Sequence, residues 1–176
     1  MSVSLSLAEH DYDFCLAMLQ REFTDFSQAR VELLFPAEYR YSKTLRDLVS
    51  FMLEQTSINS PWNRRFALIT DELVNNSIEH GSREGDVNTF VCDISTEESK
   101  LNIKLSVSDS GHGPRPLDAS AMRKVREEKI QKGFLKHTGT RGRGLFQIIE
   151  NLVDALEFED SPSGGLTVSA RKTFAL

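Results

Sequence analysis

Apolar residues recur along this chain with two periods, and the changes from one to the other mark out its elements. Tyr12, Cys15, Leu16, Leu19, Phe23 and Phe26 fall at helical spacing and predict an amphipathic helix over roughly residues 8–28. A short strand, Val31–Phe35, follows and is ended by Pro36. Ser42 opens a second helix, with Leu45, Leu48, Val49 and Met52 on one side, running to about Ser57. A third begins near Ser60-Pro61, a serine cap followed by proline at the first helical position, and Gly81 is its natural stop. Val87–Ile94 alternates, as does the run Leu101, Ile103, Leu105, Val107, which is the clearest half-buried strand in the chain. The short connection Glu97–Lys100 makes these two an antiparallel pair.

The basic stretch Asp118–Lys136 is helix-prone but has no strong apolar stripe, and it is predicted to be a mobile cover. Leu145, Ile148, Ile149 and Leu152 form a clean stripe in a further helix. Two strands close the chain, about Ala155–Glu159 and Leu166–Phe174. The sum predicts an α/β two-layer sandwich: a mixed, mostly antiparallel sheet with helices on one face. Residues 30–176 are read as the domain and residues 1–29 as an N-terminal helical extension.

Composition narrows the function classes. A chain of 176 residues suits one domain with a core of its own. A net charge of −5 argues against a dedicated nucleic-acid binder. Cys15 and Cys92 lack metal-type spacing and are read as reduced core residues. No apolar run reaches transmembrane length, so a cytoplasmic protein without a membrane partner is expected.

Three stretches carry candidate chemistry. In Ile69–Gly81, the apolar stripe Trp62, Phe66, Ile69, Leu73 runs on into Asn76 and His80, with Glu72 at its edge. Either the helix end emerges into water, or it forms a pocket wall with Glu72 as proton acceptor and Asn76 as an oxygen ligand for a metal. Asp109-Ser110-Gly111-His112-Gly113, after a strand, reads as a tight turn. It reads equally as a carboxylate placed to accept from an exocyclic amine, with glycines that admit a flat base. Gly139-Thr140-Arg141-Gly142-Arg143-Gly144 is either a flexible linker or a set of backbone N–H groups and two arginines offered to phosphate oxygens. It fits neither the Walker nor the Rossmann pattern. His112 and His137 belong to no zinc-like set and are read as loop residues.

Taken together, E-x-x-x-N on a helix, D-x-G-x-G after a strand and a glycine-rich loop opening a helix resemble the Bergerat-type (GHKL) ATP fold of sensor histidine kinases and type II topoisomerases. The likeness spans roughly residues 30–174. Within that superfamily the short chain, the motif ending in His80-Gly81 and the segment GRGLFQIIENLVD resemble the bacterial serine kinases that act as anti-sigma factors. The resemblance implies ATP and Mg²⁺ as cofactors, with Glu72 as base and Asn76 as metal ligand. It implies that Asp109 reads the adenine amine, with Gly111 and Gly113 shaping its pocket. It further implies nucleotide contacts from His80, Arg141, Gly142, Arg143, Gly144 and Leu145, and support of the adenine by Thr167. The implied activity is transfer of phosphate from ATP to serine or threonine of an anti-anti-sigma (STAS) protein, with a sigma factor as a second partner and a homodimer as the assembly.

Some positions depart from that pattern. Asn75 and Ser77 stand where threonine and alanine are commoner, and the N-terminal helix is additional. The long basic segment holding Arg115, Arg123, Lys124, Arg126, Lys129, Lys132 and Lys136 is a solvated face, or it grips phosphates or an acidic partner on closure. Two other functions remain open at this level: a nucleotide-sensing binding module, and a simple ATPase in which water replaces the protein hydroxyl.

Overall fold

The computed structural model describes residues 1–58, 60–132, 152–162 and 164–176. Six strands form one sheet: β1 (Ser2–Ser6), β2 (Gln28–Pro36), β3 (Val87–Glu97), β4 (Lys100–Ser108), β5 (Ala155–Asp160) and β6 (Leu166–Ala175). Their order is β1-β2-β3-β4-β6-β5; β1 runs parallel to β2, and every other neighbouring pair is antiparallel. Among the described residues, four α-helices accompany it: α1 (Tyr12–Glu22), α2 (Arg40–Glu54), α3 (Ser60–Asn76) and α4 (Ala119–Lys132). This is the expected α/β sandwich.

Alternation explains the layering. Val31, Leu33 and Phe35 on β2, Phe90, Cys92 and Ile94 on β3, and Leu101, Ile103, Leu105 and Val107 on β4 are buried on one face. They meet Leu45, Leu48, Met52, Phe66, Ile69 and Leu73 from α2 and α3. The opposite face is polar, with cross-strand pairs Arg30–Asp93, Ser106–Ser169 and Ser108–Thr167. The β3–β4 connection is a two-residue turn with Glu98 and Ser99 both at positive φ, 47° and 61°, the twist that suits a tight hairpin. An ion pair between Arg46 and Asp71 (2.8 Å), joined by the Ser42 hydroxyl, ties α2 to α3.

The N-terminal region differs from the expected long helix. Residues 2–6 are a strand that extends the sheet, and α1 occupies only Tyr12–Glu22. Asp11 caps the helix, its carboxylate accepting from the Phe14 N–H at 2.9 Å, and Phe23 leaves it in extended conformation. Phe23 and Phe26 keep helical spacing in sequence yet pack beyond the helix, ring against ring at 5.0 Å. Leu5, Leu7, Cys15, Leu19, Phe23 and Phe26 all belong to the one apolar core, so residues 1–29 are built into the sandwich and are not a separate extension.

The described part of the basic segment, to Lys132, packs on the edge of the sheet, and residues 133–136 lie outside the described residues. Ala119 and Met122 of α4 are buried, and Arg123 and Arg126 reach the edge strand β5. Among the described residues no helix is long and apolar enough to cross a membrane.

Candidate functional site

Helix α3 does not end in open solvent. Its last turn widens into a π-helical turn, Ser77–Gly81, a local winding frequent at functional sites. Ser77 and Gly81 are buried, and Leu73, Asn76, Ser77, His80 and Gly81 line a cavity of about 690 Å³, within the size range of small-molecule sites. The floor is the sheet, through Val107, Leu166 and Val168. Asp109 and Gly111 form one end, Gly164 and Gly165 another, and residues 115–118 with Met122 the outer wall.

Asp109 sits at the end of β4, nine-tenths or more buried, and its Oδ1 accepts from the backbone N–H groups of Gly111 and Leu166, each at 3.0 Å. Burial pushes its carboxyl up from the usual range, opposed by those two N–H groups. The backbone crowds around it. A Cβ on Gly81 would lie 2.1 Å from Asp109 Oδ2, and one on Gly165 would lie 2.0 Å from the Asp109 carbonyl oxygen. Gly111 is held at φ +74° against Gly164, a conformation in which glycine is unstrained. Gly113 presses on the carbonyl of His80, and its N–H donates to the Gly81 carbonyl at 3.1 Å. The motif read as a turn is therefore packed directly on the end of α3.

A buried polar network sets that contact. Asn88, fully buried, donates to Ser77 Oγ at 3.2 Å and accepts from Ser82 Oγ at 2.6 Å. Ser110 Oγ donates to Asp86 at 2.6 Å. That bond, with the Arg83 N–H, holds the Asp86 carboxyl down at about 2.

Glu72 stands apart from the cavity wall, one turn before Asn76 on α3 and half-buried. Burial lifts its carboxyl above the ordinary glutamate range, and the neighbouring charge of Asp71 adds to this. Asn76 Nδ2 donates back to the Glu72 carbonyl, which leaves Oδ1 as a hard oxygen donor. No cluster of three or more His, Cys, Asp or Glu side chains among the described residues could hold a metal by itself. Asn76 Oδ1 is the side-chain oxygen that would be offered to a magnesium ion arriving with a phosphate ligand.

Charge is unevenly spread over the described wall. The carboxylates on the described wall, Asp109, Asp118 and Asp160, each accept a backbone N–H, and Arg115 is the cation among those lining residues. An apolar floor with one buried acceptor suits a flat base bearing an amine better than it suits phosphates.

Of the residues expected from sequence, the structure brings Asn76, His80, Asp109 and Gly111 together on the cavity, with Gly113 packed behind it and Glu72 one turn away. Thr167 is a correction. It lies on the opposite face of the sheet, where its hydroxyl pairs with Ser108 at 2.8 Å, while its neighbours Leu166 and Val168 face the cavity. Period-two alternation forces this, and the cavity face of β6 at this point is apolar. Arg141, Gly142, Arg143, Gly144 and Leu145 lie outside the described residues. Met122, Asp160 and Ser161 also line the cavity, although no spacing pattern marks them. Gly165, between β5 and β6, also packs directly on Asp109, a close approach that depends on the fold and that no sequence spacing marks.

Residues 35–172 match the histidine kinase-like ATPase domain family. No curated protein matches the chain.

Proposed function

The chain belongs to the histidine kinase-like ATPase family, and from that premise we propose that it is a protein serine/threonine kinase of anti-sigma-factor type. Its family makes it an ATP-binding domain with a kinase-like or ATP-hydrolysing activity. The finer reading names an anti-anti-sigma (STAS) protein as phosphate acceptor. A sigma factor is the second partner, held while the antagonist is phosphorylated.

The observation that carries the reading is Glu72: a half-buried carboxylate of raised pKa, one helical turn from Asn76 at the cavity wall. A pure nucleotide sensor needs no base there. In the proposed reaction the substrate hydroxyl oxygen attacks the γ-phosphorus of ATP and its proton passes to Glu72. The bond from γ-phosphorus to the β,γ-bridging oxygen breaks, and ADP leaves. Asp109 holds the base and the sheet floor excludes water beneath it, so positioning supplies much of the rate. Asn76 Oδ1 would hold Mg²⁺, which would supply neutralisation of phosphate charge.

The test uses ATP labelled on the γ-phosphate, with Mg²⁺, in lysate of the source organism, comparing wild type with Glu72→Gln. A small protein labelled on serine or threonine by wild type alone supports the kinase. Labelled inorganic phosphate without labelled protein would replace it with an ATPase. Nucleotide binding without either product would leave a binding module.

A further inference from the structure

The outer wall of the cavity is fastened to the far edge of the sheet. Helix α4 is capped twice at its first turn: by Asp118, whose Oδ1 accepts from the Ala121 N–H at 2.7 Å, and by Asp160 at the end of β5, whose Oδ1 accepts from the Ala119 N–H at 2.7 Å. One turn on, Arg123 Nη2 donates to the Phe158 carbonyl at 2.7 Å and Arg126 Nη1 to the Leu156 carbonyl at 3.2 Å. Among the described residues, strand β5 is the last in the sheet order and no strand pairs with its outer edge. These arginines, which sequence alone allowed to grip phosphate, reach toward a backbone edge. The same piece of chain supplies Arg115, Pro116, Leu117, Asp118 and Met122 to the cavity, and Asp160 lines it too.

We propose that Asp160, Arg123 and Arg126 are positioning residues that form a clasp, holding the 115–122 wall against β5 and setting the rate at which nucleotide leaves. The inference rests on the nucleotide-binding reading of the cavity. Both partners of the clasp are long-range in sequence, Ala119 to Asp160 and Arg123 to Phe158, so the wall moves only if three separate hydrogen bonds to one strand are given up. A clasp of this kind acts on departure of a ligand already inside more than on its arrival.

The experiment is stopped-flow displacement of a fluorescent N-methylanthraniloyl-ADP from the full chain. It compares wild type with Arg123→Ala/Arg126→Ala, Arg123→Lys/Arg126→Lys, Asp160→Ala and Asp160→Asn. The clasp predicts dissociation faster by about tenfold in the double alanine variant and in Asp160→Ala, with association within about twofold of wild type. The double lysine variant recovers part of the loss, because an ammonium still donates to a carbonyl. Asp160→Asn stays near wild type, because its amide oxygen still caps Ala119. Dissociation unchanged in the alanine variants overturns the clasp. So does Asp160→Asn as fast as Asp160→Ala, which would put the carboxylate charge on the ligand itself. Wild type that binds no nucleotide overturns the nucleotide reading and the clasp with it. Amide exchange at Ala119 in the unliganded proteins separates loosening from unfolding: it must quicken in Asp160→Ala and not in Asp160→Asn.

Discussion

Glu72, the proposed base, ties the proposed chemistry to stability through its raised pKa. Its carboxyl is raised by burial, so the folded chain holds that proton to higher pH than an unfolded chain does, where a glutamate titrates near about 4.3. Transfer needs the ionised form. The acid limb of kcat/KM is therefore predicted to lie above an ordinary glutamate's, and Glu72→Gln removes that limb while lowering turnover by about 10²–10⁴-fold. Stability runs the other way. Because the native state binds the proton more tightly, stability falls as pH rises through the interval between the two pKa values, and Glu72→Gln should melt above wild type at neutral pH. Gly165 is limited by space instead. A Cβ there would meet the Asp109 carbonyl oxygen at 2.0 Å, so Gly165→Ala must displace the turn or the carboxylate. The expected cost is about 1–3 kcal/mol in chemical denaturation, together with weakened nucleotide binding.

Among the elements, those with an uninterrupted period were legible and those whose period outran the backbone were not. Strand β4 alternates through Val107 and was readable to within a residue. Helix α1 was overextended because Phe23 and Phe26 continue the 3.6-residue spacing after the backbone has turned extended at Phe23. Strand β1, reading Ser-Val-Ser-Leu-Ser, alternates but is short and poor in residues that favour strands, and its partner lies more than twenty residues away. Thr167 was readable and misread, since Leu166 and Val168 on the core side leave it only the other face. The pairing of Asp160 with Ala119 was not readable, because nothing in either neighbourhood records a contact 41 residues distant. The incorporation of α1 into the core has a direct check. Leu19 is completely buried, so Leu19→Ala is predicted to lower unfolding free energy by about 2–5 kcal/mol, read by urea denaturation. A detached helix would lose far less.

At the scale of the whole molecule, the sheet supplies a flat apolar floor, α3 brings Asn76 to it with the raised carboxyl of Glu72 one turn back, and the turn after β4 buries Asp109 beneath glycines. Everything proposed for the chain depends on that cavity taking adenine against Asp109. Titration calorimetry of ATP and GTP into wild type and Asp109→Asn tests it most directly. Asparagine keeps an oxygen for the Gly111 and Leu166 N–H groups but turns the other acceptor into a donor, which would oppose the amine of a bound adenine. One ATP per chain, much weaker GTP binding, and a loss of about tenfold to a hundredfold for ATP in Asp109→Asn are predicted. ATP bound equally by both proteins, or by neither, would contradict the account.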